Sequence, residues 1–219
     1  MKQSAGALQS LSHARTIADH AERLGVNEAP LTSRQSCSHL GAILADAALQ
    51  AGLNYRTVVR PRVDRIQTLY PDAASLLGLV SEVRRVGAET FLNWSHAIKV
   101  NRFLRLIDVF KTNGVRNVDD LKVWLFSNDA RETMLKLNGV GPKTFDYICC
   151  LSGMDHVAVD RHIKSFASEA GVLIDGYRDL QVAVSFAADL LGLSRRDFDA
   201  WIWQRLASQP STQRAFTFA

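Results

Sequence analysis

The sequence is poor in cysteine and proline and has no long uninterrupted apolar run. Its 219 residues include only 3 cysteines, Cys37, Cys149 and Cys150, and 5 prolines. Three cysteines, two of them adjacent, cannot build a disulfide framework, which favours a reducing compartment. No apolar run approaches the roughly 20 residues that span a bilayer, and the first residues lack the apolar segment of a signal peptide. We therefore expect a cytoplasmic protein that does not enter a membrane.

Charge of one sign is not in large excess either. Lysine and arginine number 26 against 22 acidic residues, giving a formal net charge of +4. This balance permits a polyanionic partner without requiring one. Apolar residues make up 47% of the chain, which is enough for one large core or two smaller ones.

Sustained strand alternation is missing as well, whereas apolar residues recur at three- and four-residue steps along most of the chain. This periodicity predicts an all-α protein with short connecting loops. The predicted helices cover residues 11–24, 39–51, 62–69, 72–79, 95–111, 118–126, 130–137, 142–152, 161–170, 179–191 and 197–207.

A glycine-rich turn, LNGVGPKT, connects two of these helices at residues 137–144. We expect Gly139 and Gly141 to allow a sharp turn with positive φ and close approach of a bulky partner. Pro142 suits the first position of a helix, where its missing N–H costs least. The following amides and the helix dipole would attract a phosphate. A plain connection between antiparallel helices explains the same residues.

The segment from Leu137 to Ile163 resembles the signature of the helix-hairpin-helix (HhH-GPD) DNA glycosylase superfamily, particularly its endonuclease III branch. The family pattern is Leu-Pro-Gly-Val-Gly-x-Lys-Thr, then a helix, then an apolar triplet followed by Asp-x-His. Asn138 stands where the family usually has proline. The matching residues are Leu137, Gly139, Val140, Gly141, Lys143 and Thr144, then Ala158, Val159, Asp160 and His162.

The resemblance implies a two-lobed fold with a cleft between the lobes. One lobe, residues 34–154, would be a helical barrel containing the hairpin. Residues 1–33 and 155–219 would form the second helical domain. We expect Lys143 and Asp160 to face each other across the cleft, with Gly139, Val140, Gly141, Thr144 and His162 contacting DNA.

Lys143 and Asp160 have complementary chemistry for cleaving a base from deoxyribose. A fixed carboxylate stabilises the positive charge that develops on the sugar, and an amine can replace the base and form an imine. The helix dipole near Lys143 disfavours its ammonium form. Phosphate binding by Lys143 and simple helix capping by Asp160 are the alternatives. For His162 the alternatives are orienting a phosphate and packing at the helix start.

In the family, a loop probes the DNA stack where this sequence has LNYRTVVRPR, residues 53–62. We predict Asn54 as the wedge that fills the gap left by a flipped base, with Tyr55 or Leu53 as substitutes. Arg56 and Arg60 would contact phosphates. An ordinary surface loop is the alternative.

Two further groups of residues have open assignments. The cluster from Asn93 to His96 could line a base pocket or cap the following helix. Trp201 and Trp203 are predicted to pack within the last helix rather than to stack on bases.

The resemblance also implies DNA with a damaged base or an abasic site as partner. We expect a monomer, associated with the nucleoid if the source is bacterial. Many relatives hold a [4Fe–4S] cluster, which needs four thiolate ligands, and three cysteines cannot supply them. No His/Cys grouping suggests zinc. No cofactor is therefore required, although the family implies a loosely held sodium or potassium ion at the hairpin carbonyls. The expected activity combines base excision with cleavage of the abasic strand. Base excision alone and non-catalytic DNA binding are the alternatives.

Overall fold

The computed structural model describes residues 2–28 and 36–207, with side chains from 8–28 and 36–206. Within these ranges all regular structure is helical, so the all-α prediction is confirmed for this part of the chain. Twelve α-helices occur there: α1 Lys2–Arg23, α2 Leu40–Leu49, α3 Arg60–Leu69, α4 Leu76–Val86, α5 Ala88–Leu92, α6 Ala97–Thr112, α7 Val118–Leu125, α8 Asn128–Leu135, α9 Pro142–Leu151, α10 Arg161–Glu169, α11 Tyr177–Leu190 and α12 Arg195–Ala207.

The chain divides into two compact units. One is Gln35–Ala158, and the other combines Met1–Arg34 with Val159–Ala219. Below, these are the hairpin unit and the terminal unit. The predicted barrel domain, 34–154, starts one residue before the first residue of the hairpin unit and ends four residues before its last residue.

The core of the hairpin unit is built around α2. All ten of its residues are buried, as expected of a helix that is apolar on nearly every side. It packs against α3, α6 and α9. His39 caps its start: Nδ1 accepts a hydrogen bond from Ala42 N at 3.1 Å, and the other ring nitrogen lies 2.9 Å from the Tyr70 carbonyl oxygen.

In the terminal unit, α1 packs against α11, and α10 packs against α12. The Phe166 ring is the centre of an aromatic cluster, with its centroid 5.7 Å from that of Trp201 and 6.1 Å from that of Phe198. The Trp203 ring lies 6.2 Å from that of His162. Both tryptophans therefore have packing contacts within this unit.

Two local predictions need correction. A helix over 72–79 with Asp72 near its cap is wrong, because Pro71–Ala74 is a 3₁₀ turn and α4 starts after it. Ser75 caps α4 instead, accepting a hydrogen bond from Gly78 N at 3.2 Å. The predicted loop at 53–62 contains a π-helical turn, Tyr55–Val59, followed at once by α3.

Candidate functional site

The hairpin between α8 and α9 owes its shape to Gly139. Its φ is +78°, a left-handed conformation that is unfavourable for residues with a β-carbon. The N–H of Val140 closes the turn by donating to the Leu137 carbonyl at 3.0 Å. A β-carbon built at position 139 would lie 2.1 Å from Arg102 Nη2. Gly139 is therefore required both by the turn and by the guanidinium packed against it.

Gly141 has a different role from the one predicted. Its φ of −101° and ψ of −179° are extended, so positive φ is not needed there. Gly141 is the N-cap of α9, which has no side-chain cap, and Pro142 follows at the start of the helix. Among the described residues, the N–H groups of Gly139 and Gly141 have no backbone hydrogen-bond acceptor. They are the hairpin donors that a phosphate oxygen would meet.

Val140 and Thr144 are buried, and their contact with DNA stays a prediction. Val140 is 4% exposed and Thr144 is 8% exposed. The N–H of Thr144 donates to the Gly141 carbonyl at 3.0 Å, and that of Val140 closes the turn. Both residues fasten the hairpin to the core of its unit, so direct DNA contact by their side chains would need them to leave it.

Lys143 is held in the first turn of α9 rather than extended into solvent. It is half-buried, and its Nζ donates a hydrogen bond to Gln50 Oε1. The same nitrogen lies 4.6 Å from the centroid of the Tyr147 ring, one turn further along α9. An ammonium over an aromatic face is stabilised by the ring quadrupole. The amine therefore occupies one defined position in the hairpin unit.

Behind this lysine lies a buried carboxylate that the sequence analysis missed. Asp46 is only 2% exposed and interrupts the apolar sequence of α2. Tyr147 Oη donates to its Oδ1 at 3.0 Å, and Tyr55 Oη donates to its Oδ2 at 3.1 Å. A lone acidic residue in the otherwise apolar segment LGAILADAAL is the sequence signal that could have identified it, because buried carboxylates need donors.

Two cations on α6 fix the C-terminal end of α2, where Gln50 is the C-cap residue. Lys99 Nζ donates to the carbonyls of Leu49 and Ala51 at 2.7 and 2.6 Å, and Arg102 Nη1 donates to that of Ala48 at 3.3 Å. Cations at this end complement the helix dipole. Burial, followed by the nearby Arg102, lowers the pKa of Lys99.

Asp160 is the N-cap of α10 in the terminal unit. Its Oδ1 accepts hydrogen bonds from the backbone N–H groups of His162 and Ile163 at 2.8 and 3.1 Å. Its Oδ2 lies 3.0 Å from His162 Nδ1. These contacts fix the orientation of the carboxylate at the helix start. His162 thus contacts Asp160 itself, in addition to packing at the helix start.

The predicted wedge and phosphate residues lie around the π-helical turn. Asn54 is exposed, and its Oδ1 accepts a hydrogen bond from Thr57 N at 3.0 Å. Arg56 is exposed. Arg60, also exposed, is paired with Asp64 at 2.8 Å, and this hydrogen bond raises the pKa of Arg60. Of the two residues predicted as substitutes for Asn54 in the wedge, Leu53 packs against the core, and Tyr55 donates a hydrogen bond to Asp46.

The segment Asn93–His96 is tied down by an arginine from α3. Arg62 Nε donates to the Asn93 carbonyl at 2.9 Å, and its guanidinium lies 5.0 Å from the centroid of the Trp94 ring. Asn93 has a φ of 48°. His96 is at the N-cap of α6 without a side-chain cap hydrogen bond. The cluster therefore supplies the N-cap residue of α6 without a side-chain cap, and the base-pocket interpretation stays a prediction.

The cysteines and the hairpin carbonyls bear on the expected cofactors. Cys149 and Cys150 are fully buried, and burial followed by Asp146 raises the pKa of Cys149 to about 12. The Leu137 carbonyl accepts one hydrogen bond from Val140 N. The loosely held sodium or potassium ion at the hairpin carbonyls stays a prediction.

No family model matches the sequence, and neither a curated protein nor a solved structure is similar to it at a significant level. In the parts of the chain that the structure describes, no helix combines the length and apolar character needed to cross a bilayer.

Proposed function

We propose that this protein is a base-excision DNA glycosylase with abasic-site lyase activity. Lys143 is the nucleophile, and Asp160 is the carboxylate that stabilises the charge developing on the sugar. Its substrate is double-stranded DNA with a damaged base or an abasic site, which it binds as a monomer. The lesion itself is not assigned.

One observation carries the proposal: a lysine amine is held at a defined position in the first turn of α9, directly after the hairpin. Gln50 and Tyr147 fix Lys143 Nζ, while the exposed Lys136, seven residues earlier, has no comparable contacts among the described residues. Holding an amine against its side-chain entropy is expected where the amine must meet a reacting carbon. Phosphate attraction alone needs only a nearby positive charge.

The reaction follows from these groups. The Nζ lone pair forms a bond to the anomeric carbon while the glycosidic bond breaks, and the base leaves with the bonding electrons and takes up a proton. A proton then passes from the nitrogen to the ring oxygen as the C1′–O4′ bond breaks, which opens the sugar ring and gives a protonated imine. Loss of the neighbouring C2′ proton then expels the 3′ phosphate. Asp160 stabilises the cationic sugar before the amine bond is complete.

The test is borohydride trapping on a panel of duplexes that each contain one lesion or an abasic site. We expect wild-type protein and the Lys136→Ala control to form a covalent complex with at least one duplex. Lys143→Ala should form none. A Lys143→Ala protein that traps as well as wild type would contradict the proposal.

A second candidate is a non-catalytic DNA-holding protein, which the contacts of Asp160 favour, because capping α10 is a sufficient structural role for it. This candidate predicts that the protein cleaves no duplex in the panel, and that alkali breaks only the abasic duplex, as it does without protein. Base excision without strand cleavage would instead give breaks only after alkali, and it would leave Lys143 as a phosphate contact.

A further inference from the structure

The buried carboxylate of Asp46 joins the two helices that meet at Lys143. Asp46 and Gln50 are four residues apart at the end of α2, and Lys143 and Tyr147 are four residues apart at the start of α9. Residues four apart lie on the same face of a helix. Each helix therefore presents two side chains to the other: Asp46 opposite Tyr147, and Gln50 opposite Lys143.

Asp46 controls where the Tyr147 ring lies. The carboxylate is 2% exposed and Tyr147 is 7% exposed, so the hydrogen bond of 3.0 Å between them is shielded from water. A buried hydrogen bond is costly to break, because both partners would be left unsatisfied away from water. Since the phenol is anchored at its oxygen, the position of the ring between Cβ and Oη is fixed as well.

The ring in turn limits the position of the lysine. With Nζ 4.6 Å from the centroid of the Tyr147 ring and donating to Gln50 Oε1, the amine contacts a side chain from each helix. Lys99 holds the carbonyls on both sides of Gln50. The contacts thus form a continuous support that runs from the end of α2 to the amine.

We propose that Asp46, Tyr147 and Gln50 are positioning residues for the Lys143 amine in imine formation. This inference rests on the proposed function. Tyr147 provides the surface on which Nζ lies, Asp46 holds Tyr147, and Gln50 accepts a hydrogen bond from the amine. Fixing the amine keeps it in line with the anomeric carbon, and small displacements of a reacting group reduce rates strongly.

The kinetic test uses Tyr147→Leu, which removes the ring, and Tyr147→Phe, which keeps the ring and removes its anchor. Tyr70→Phe is the matched control, because it removes the hydroxyl of another buried tyrosine of the same unit, bonded to Arg65. The quantities measured are the trapping rate at saturating abasic duplex and, separately, the Kd for that duplex.

We expect Tyr147→Leu to trap at least about tenfold more slowly, with its Kd within about twofold of wild type. Tyr147→Phe should fall between Tyr147→Leu and wild type, and Tyr70→Phe should match wild type. A Tyr147→Leu rate equal to wild type, or a loss confined to Kd, overturns the inference. If Tyr147→Leu does not fold, Tyr147→Phe decides, and a rate equal to that of Tyr70→Phe overturns the inference.

A measurement without DNA separates this inference from the proposed function. Reductive methylation with formaldehyde, resolved by peptide mass spectrometry, gives the modification rate of Lys143 relative to the exposed Lys136. We expect a low ratio in wild type, a rise of about threefold or more in Tyr147→Leu, and no change in Tyr70→Phe. An unchanged ratio in Tyr147→Leu overturns positioning, whatever the DNA assays give. Absence of trapping by wild type with the expected ratios overturns the proposed function, and with it the role in imine formation, while the placement of the amine by Tyr147 stands.

Discussion

The helices that carry the two proposed reacting groups begin in opposite ways. α9 starts at Gly141 and Pro142 with no side-chain cap, whereas α10 starts at Asp160, whose carboxylate accepts two backbone hydrogen bonds. An uncapped start leaves its donors to an external acceptor such as a phosphate. A capped start uses its carboxylate to satisfy those donors, and the carboxylate is oriented by doing so. A helix N-terminus can therefore either attract an external anion or orient a carboxylate of its own chain.

The largest expected effect comes from removing the negative charge of Asp160 at the start of α10 while keeping a side chain that caps the helix. Asparagine caps helices as well as aspartate does, and Asn117 already caps α7 through two backbone N–H groups. Asp160→Asn should therefore leave the melting temperature nearly unchanged and reduce base excision about 10²–10³-fold. Single-turnover excision and thermal unfolding measure the two effects. Unchanged excision would reduce Asp160 to a helix cap.

The next effect contrasts the two hairpin glycines. Gly139→Ala should lower the free energy of unfolding by about 1–2 kcal/mol, because alanine disfavours positive φ, and the new methyl group would also displace Arg102. Gly141→Ala should cost much less, since nothing lies within 4 Å of a β-carbon there. Denaturant unfolding of the pair gives both values. Equal losses would show that the hairpin geometry is not set by Gly139.

A third helix start allows a pH test. His39 caps α2 through Nδ1, and burial lowers the pKa of His39. The unfolded state then binds protons more readily, so the free energy of unfolding falls as pH drops below about 6.5 toward the lowered folded value. His39→Asn keeps a capping side chain without a titrating group. It should reduce this pH slope by up to about 1.4 kcal/mol per pH unit.

His20 supplies the internal comparison for that measurement. Burial, followed by Arg23, lowers the pKa of His20 too, so a residual slope of the same sign should persist in His39→Asn. Urea unfolding between pH 5 and 7 records it. A slope identical to wild type would mean that His39 does not titrate with unfolding.

The smallest effect concerns the π-helical turn Tyr55–Val59 and α3, which starts at Arg60 with Pro61 in its first turn and has no side-chain cap. Arg60→Ala and Arg56→Ala should each weaken DNA binding and reduce the slope of log K against log salt by about one. Arg116→Ala is the matched control: Arg116 is exposed and pairs with Asp120 at 2.8 Å, as Arg60 does with Asp64. An equal effect in all three would show only nonspecific attraction.

Features of the molecule set by near neighbours could be predicted from the sequence, and those set by distant ones could not. The turn at Gly139, the helix start at Pro142 and the cap at Asp160 depend on residues within one helical turn. The hydrogen bond between Asp46 and Tyr147 spans 101 residues, and that between Gln50 and Lys143 spans 93. Sequence periodicity predicts that such helices bury one face, but it does not specify which helices meet.

The same reasoning explains the local errors. The short α5 follows Gly87, whose φ is 83°, and its five residues are too few to show a helical period. At α4, Ser75 and Asp72 both had the chemistry of a cap. The choice between them followed from Pro71, which starts the 3₁₀ turn that contains Asp72.

The central claim is that the Lys143 amine forms a covalent bond with the sugar of damaged DNA. Peptide mapping of the borohydride-trapped complex by mass spectrometry tests it most directly. The account predicts that the deoxyribose adduct lies on Lys143. An adduct on any other amine, or no adduct with any lesion duplex, would contradict it.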